Sequence, residues 1–121
     1  PLDLEKLVQA IGITRVRKID PYKLKEMTAI IREEMNAPEP SVIIAEAPCV
    51  LYEKAKLGPT YYVDQEKCVA CDLCYKIGCP AIMPGPDGKK PVIDPLLCIG
   101  CDQCAQVCQL DAMLPVEEDH Q

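Results

Sequence analysis

The chain contains no Phe, no Trp and only five Tyr among its 121 residues. Its hydrophobic content of 49% can still form a core, but twelve Pro and nine Cys point to loop-rich structure held by something besides side-chain packing. No run of 18 apolar residues occurs, so no segment is expected to span a membrane. The first residues lack the basic-then-apolar pattern of a signal peptide, which removes the usual support for a secreted, disulfide-stapled protein. A starting Met is also missing: the sequence opens on Pro1, inside what reads as a helix, and is expected to be a piece of a longer chain. At 13.4 kDa it is one ordinary domain or two small units.

A basic excess is absent too. The net charge is −6, and it is unevenly placed. Residues 1–50 carry seven Lys/Arg against eight Asp/Glu, whereas residues 51–121 carry six against eleven, a balance of −5. An acidic half without a basic stripe argues against nucleic acid as a partner. It suits a basic or mixed-charge protein surface.

The two halves read differently. In residues 1–50, "DLEKLVQAIGI" predicts a short helix with Leu4, Leu7, Val8 and Ile11 on one face, stopped near Gly12. "TRVRKI" reads as a strand. Asp20-Pro21 is expected to cap and open the helix "YKLKEMTAIIREEM", closed by Pro38 and Pro40. "SVIIAEA" is a continuous apolar run of the kind buried on both faces of a parallel sheet. The α-β-α-β order implies a parallel pair, and four elements are too few to cover both faces of such a sheet.

Character changes near Pro48, beyond which lie all nine cysteines. "YYVDQEKCVACDLC" aligns with "KPVIDPLLCIGCDQC", matching Val63-Asp64 with Ile93-Asp94 and Cys68 with Cys98 at an offset of thirty. Each copy runs from a β-like stretch through an Asp turn to three cysteines and a helix-like stretch, with the turn signal "PGPDGKK" between them. A duplication at this spacing predicts two similar units about a pseudo-twofold axis.

Cys68, Cys71 and Cys74, and again Cys98, Cys101 and Cys104, place three thiols at three-residue steps. Such a loop can wrap a compact object, and a cubane iron–sulfur cluster needs several thiolates from one small arc. In the bacterial ferredoxin pattern a fourth, remote cysteine serves the other cluster. The remote residues here are Cys79 and Cys108. The implied ligand sets are Cys68, Cys71, Cys74 and Cys108 for one 4Fe–4S cluster, and Cys98, Cys101, Cys104 and Cys79 for the other. The first motif has four residues before its remote cysteine ("YKIG") where the pattern has three. That extra residue is expected to lengthen or loosen the short helix.

Zinc fits this pattern less well, since a third Cys at the same step has no role in a four-ligand tetrahedral site. Disulfides need an oxidising compartment, and a 3Fe–4S cluster a missing ligand. Of the remaining candidates, Cys49 reads more simply as a small buried side chain at a strand end than as a redox thiol. His120 reads as a solvated residue of the acidic end, and Tyr61-Tyr62 as core beside the first cluster.

With these residues in view, the chain resembles the C-terminal end of the alpha subunit of indolepyruvate ferredoxin oxidoreductase. "CVACDLCYKIGCPAI" and "CIGCDQCAQVCQLDAM" are similar to that family's two-cluster module; "RKIDPYKLKEM" and "PSVIIAEAPC" are similar to the last αβ unit of its thiamine-diphosphate domain. The resemblance implies an α+β chain: a terminal αβαβ piece of an α/β domain in residues 1–50, then a bacterial-type two-cluster ferredoxin-like domain in residues 51–121. It further implies a cytoplasmic, oxygen-sensitive enzyme of anaerobes, assembled from alpha and beta subunits. That enzyme decarboxylates arylpyruvates oxidatively with coenzyme A and passes two electrons to ferredoxin. The Gly-Asp-Gly motif that binds thiamine diphosphate and magnesium is absent from these residues, so those cofactors are expected only in the full-length enzyme. The chain by itself is expected to move electrons and to catalyse nothing. The alternative is a free-standing ferredoxin-like carrier whose αβ half is a docking domain.

Overall fold

The computed structural model describes residues 2–53 and 56–117, and places them in two compact units, Pro1–Pro48 and Cys49–Gln121. Expectations for His120 lie outside the described residues.

In the first unit, helix α1 (Leu4–Ala10) begins where the Asp3 side chain accepts a hydrogen bond from the Lys6 N–H at 3.1 Å, satisfying one of the free amides of the first turn. Strand β1 (Arg15–Ile19) lies parallel to β2 (Ser41–Ala45), with Arg15 opposite Ser41 and Ile19 opposite Ala45. Between them runs helix α2 (Leu24–Met35). The alternation of β1 sends Arg15 and Arg17 to one face, and there they meet the end of α2. Arg15 Nε donates to Glu34 at 2.6 Å, and Arg17 lies 3.2 Å from Glu33. Glu34 is buried, and the Arg15 guanidinium holds its carboxyl below the usual carboxylate range.

Two expectations are corrected in this unit. Asp20-Pro21 does not open α2, which starts at Leu24 with Lys23 at its N-cap. The Asp20 carboxylate instead accepts from the Tyr22 N–H at 2.9 Å, and its carbonyl from the Lys23 N–H at 3.2 Å. A local side-chain turn therefore competes successfully with the helix start. β2 is half-buried from Ser41 to Ile44 and exposed at Ala45, because a sheet of two strands cannot cover both of its faces. The stripe of α1 is likewise uncovered, with Leu4 51%, Leu7 47% and Ile11 70% exposed.

The second unit opens with the short helix α3 (Val50–Glu53) and then holds two antiparallel ribbons. β3 (Tyr61–Val63) pairs with β6 (Met113–Pro115), and β4 (Ile82–Pro84) pairs with β5 (Pro91–Ile93). The β4–β5 connection is the turn expected from "PGPDGKK". There the Asp87 carboxylate accepts from the Lys89 N–H at 3.0 Å, and Gly88 takes φ +66°. Val63, Cys74, Ile82, Cys104 and Met113 form the core, so two of its five buried positions are thiols. Ala81 and Ala112, just before β4 and β6, are each 1% exposed.

Candidate metal-cluster sites

Both cysteine triplets are delivered by the same local device. The Cys68 N–H donates to the Asp64 carbonyl at 3.0 Å, and the Cys98 N–H to the Asp94 carbonyl at 3.0 Å. The two carboxylates fold back as well: Asp64 accepts from the Glu66 N–H at 2.9 Å and Asp94 from the Leu96 N–H at 2.8 Å. Backbone donation, from Lys67 above all, holds the Asp64 carboxyl below its ordinary range. Past each turn the chain enters left-handed conformations, at Ala70 and Asp72 in one copy and at Gly100 and Asp102 in the other. Successive reversals of this kind bend the loop into a concave arc.

The third cysteine of each triplet then rides on a five-residue turn of helix. Cys74 lies in the 3₁₀ segment Leu73–Ile77 and Cys104 in α4 (Gln103–Val107); both are buried. The extra residue of the first motif does not lengthen its helix. It is taken up at the end, where Gly78 adopts φ +68° and donates its N–H to the Tyr75 carbonyl, while the segment itself winds as 3₁₀ where its counterpart is α-helical.

Cys68, Cys71, Cys74 and Cys108 line one small pocket that opens partly to solvent. Most of its other walls are apolar, among them Leu73, Pro91 and Met113. Cys108 is thus brought from the far end of α4 to the first triplet. Its sulfur accepts a hydrogen bond from the Ala112 N–H at 3.3 Å. Of the remaining thiols, Cys79 and Cys98 lie near enough to Cys101 for their charge to be felt there. Burial pushes the Cys101 thiol up, and charge on Cys79 and Cys98 adds to the shift. Burial pushes Cys104 up to about 12, with further contributions from Cys101 and Cys98. Cys74 is raised in the same way, by burial first and then by Cys68 and Cys71.

These environments disfavour bare thiolates, and a positively charged partner would offset the cost. Nearby backbone N–H groups partly offset this rise at Cys74, Cys101 and Cys104, and the Ala112 N–H donates to the Cys108 sulfur at 3.3 Å. Such donors belong to the chemistry of cluster thiolates. Among the described residues, no three Cys, His, Asp or Glu side chains are arranged to hold a single metal ion. The first set surrounds a space instead, and the donor set and its apolar walls fit a compact cluster.

Two sequence expectations are corrected here. Tyr61 packs on the core beside the second triplet, not the first: burial raises its phenol, followed by charge on Asp102, Cys104, Cys101 and Cys98. Tyr62, on the other face of β3, is 45% exposed. Tyr75 is the tyrosine near Cys74 and Cys68. Cys49, expected to be buried at a strand end, is exposed. β2 stops at Ala45, and the Cys49 carbonyl accepts the Tyr52 and Glu53 amides that begin α3. The nine cysteines are free thiols, and no helix among the described residues is long and apolar enough to cross a membrane.

Residues 91–114 match a 4Fe-4S binding domain. The chain is 38% identical over 95% of its length to the indolepyruvate oxidoreductase subunit IorA of Pyrococcus abyssi, 35% over 97% to that of Thermococcus kodakarensis, and 35% over 94% to that of Methanothermobacter marburgensis. It spans about a fifth of the length of these relatives, 18–19% in each case. The resemblance to this oxidoreductase subunit therefore extends over nearly the whole chain.

Proposed function

We propose that this chain, similar along nearly all its length to a segment of indolepyruvate oxidoreductase subunits, is the electron-transfer module of a thiamine-dependent arylpyruvate:ferredoxin oxidoreductase. It carries two 4Fe–4S clusters in residues 51–121, one held by Cys68, Cys71, Cys74 and Cys108 and the other by Cys98, Cys101, Cys104 and Cys79. The single observation that carries this reading is the cavity in which Cys108 joins the first triplet. A remote cysteine reaching across to the other triplet is the arrangement of two-cluster ferredoxins.

The repeated Asp turns, left-handed loops and buried third cysteines, each offset by thirty residues, support pseudo-twofold symmetry in this half. When bound, the clusters supply reversible one-electron storage. The protein's own part is to position eight sulfurs, to aim backbone N–H groups at them and to exclude water from the apolar walls.

Residues 1–50 are the last αβαβ piece of the thiamine-diphosphate domain; the uncovered stripe of α1 and the open faces of the two-stranded sheet support this. Thiamine diphosphate and magnesium then bind elsewhere in the assembly, which also contains a beta subunit and works in the cytoplasm with ferredoxin as acceptor. The test is stopped-flow mixing of the dithionite-reduced chain, freed of excess reductant, with oxidised ferredoxin. Bleaching of the ferredoxin band supports the reading; absence of exchange with several ferredoxins contradicts it. The chain alone should show no arylpyruvate-dependent dye reduction, even with thiamine diphosphate and magnesium.

A further inference from the structure

The two cysteine loops are built alike but are not equally covered. The Leu57 N–H donates to the Ile99 carbonyl at 2.8 Å, and the Lys56 ammonium donates to the Pro95 carbonyl at 3.2 Å. These bonds lay the segment 56–59 across the loop between Cys98 and Cys101. The approach is so close that a Cβ on Gly100 would overlap the Gly58 carbonyl, and a Cβ on Gly58 would lie 2.9 Å from the Gly100 oxygen. Among the described residues, no backbone hydrogen bond reaches the matching Val69 carbonyl of the first loop.

Burial follows this difference residue by residue. Val69 and Cys71 are exposed and Ala70 half-buried; Ile99 and Cys101 are half-buried and Gly100 is buried. The repeat also explains why position 100 is glycine. Ala70 occupies the equivalent place at φ +57°, close to the +72° of Gly100, so the loop conformation itself accepts an alanine. What it does not accept at 100 is a side chain beneath the segment 56–59.

We propose that residues 56–59 are a built-in cap over the second cluster site, which makes the two clusters unequal in solvent access and in potential. The proposal rests on the reading of the eight thiols as two cluster sites. Each cluster takes up one electron on reduction, and water dipoles stabilise the added negative charge. The capped site, held by Cys98, Cys101, Cys104 and Cys79, has fewer of them and is the harder to reduce. The open site, held by Cys68, Cys71, Cys74 and Cys108, takes the first electron and is the point of exit.

The test uses the whole chain, loaded anaerobically with iron and sulfide. Iron removal by a chelator is followed through the paramagnetically shifted cysteine β-proton resonances of each site, and dithionite titration through the same signals. Wild type should lose iron in two phases, the capped site slower, and should reduce the open site first. Gly100→Ala should speed the slow phase about fivefold, the factor that one net backbone hydrogen bond represents, and should speed hydrogen exchange at the Leu57 amide. Gly58→Ala perturbs the same contact from the cap side and should act in the same direction, which keeps the test decisive if Gly100→Ala fails to load. Equal rates at the two sites in wild type, a slow phase unchanged in both variants, or reduction of the capped site first would overturn the cap. Failure of the wild-type chain to take up iron and sulfide would instead overturn the two-cluster reading beneath it.

Discussion

Replacing Cys108 with alanine separates ligation by sequence neighbours from ligation across the fold. Cys108 follows Cys104 closely in the chain, yet it lines the cavity of Cys68, Cys71 and Cys74. Removing its sulfur leaves three thiols around that cavity and a polar Ala112 N–H, previously 3.3 Å from the sulfur, facing an apolar wall. The second set is complete without it. From about eight irons for two cubanes, Cys108→Ala should fall to about four, or about seven where a three-iron cluster persists on the remaining thiols. The loss should come from the first site. Cys79→Ala should give a similar iron count with the opposite cluster lost, because charge on Cys79 is felt at Cys101. Iron and sulfide analysis with EPR of both dithionite-reduced variants reads the outcome. If each variant loses the cluster nearest in sequence, so that Cys108→Ala spares the Cys68 set, the crossed assignment is wrong.

Removing iron with a chelator should unfold residues 61–113, because a core of Val63, Ile82 and Met113 with two thiols is too small to hold without metal; sharp, dispersed amide signals from that half of the apo-protein would contradict this. In the first unit, Arg15 depresses the Glu34 carboxyl, so the stability this group adds is full above the ordinary glutamate value of about 4.3 and is lost as pH falls through the lower folded value. Glu34→Gln should therefore reduce stability at pH 7 and flatten the acid limb of the α2 circular-dichroism signal; an unchanged limb would count against the pair. Electron transfer to an acidic ferredoxin should speed up with added salt, since residues 51–121 carry −5 before cluster charge is added; a rate that falls with salt would point to a basic docking face.

The parts of the fold legible in the sequence are those fixed by short-range chemistry. Cysteines at three-residue steps, an Asp before each triplet and a Gly-Pro-Asp-Gly turn act within a few residues, and the duplication allowed each copy to check the other. The helix start near Asp20 is not legible in the sequence, because a turn and an N-cap use the same residue types and only the path of the chain decides between them. Tyr61 stands nearer the first triplet in sequence, while its phenol feels the charge of the second. The cap over Gly100 joins segments roughly forty residues apart and so carries no local pattern. Its one trace is a glycine in the second copy where the first has Ala70, a mismatch legible only once the repeats are superposed.

The central claim, two cubane clusters on eight thiolates, is met most directly by iron and sulfide quantification with Mössbauer spectroscopy on the anaerobically prepared chain. The account predicts about eight irons and eight sulfides per chain, all in cubane environments, with coupled EPR signals on reduction. About four irons with Cys79 and Cys108 open to alkylation, or two bound zincs after reconstitution with iron and sulfide, would contradict it.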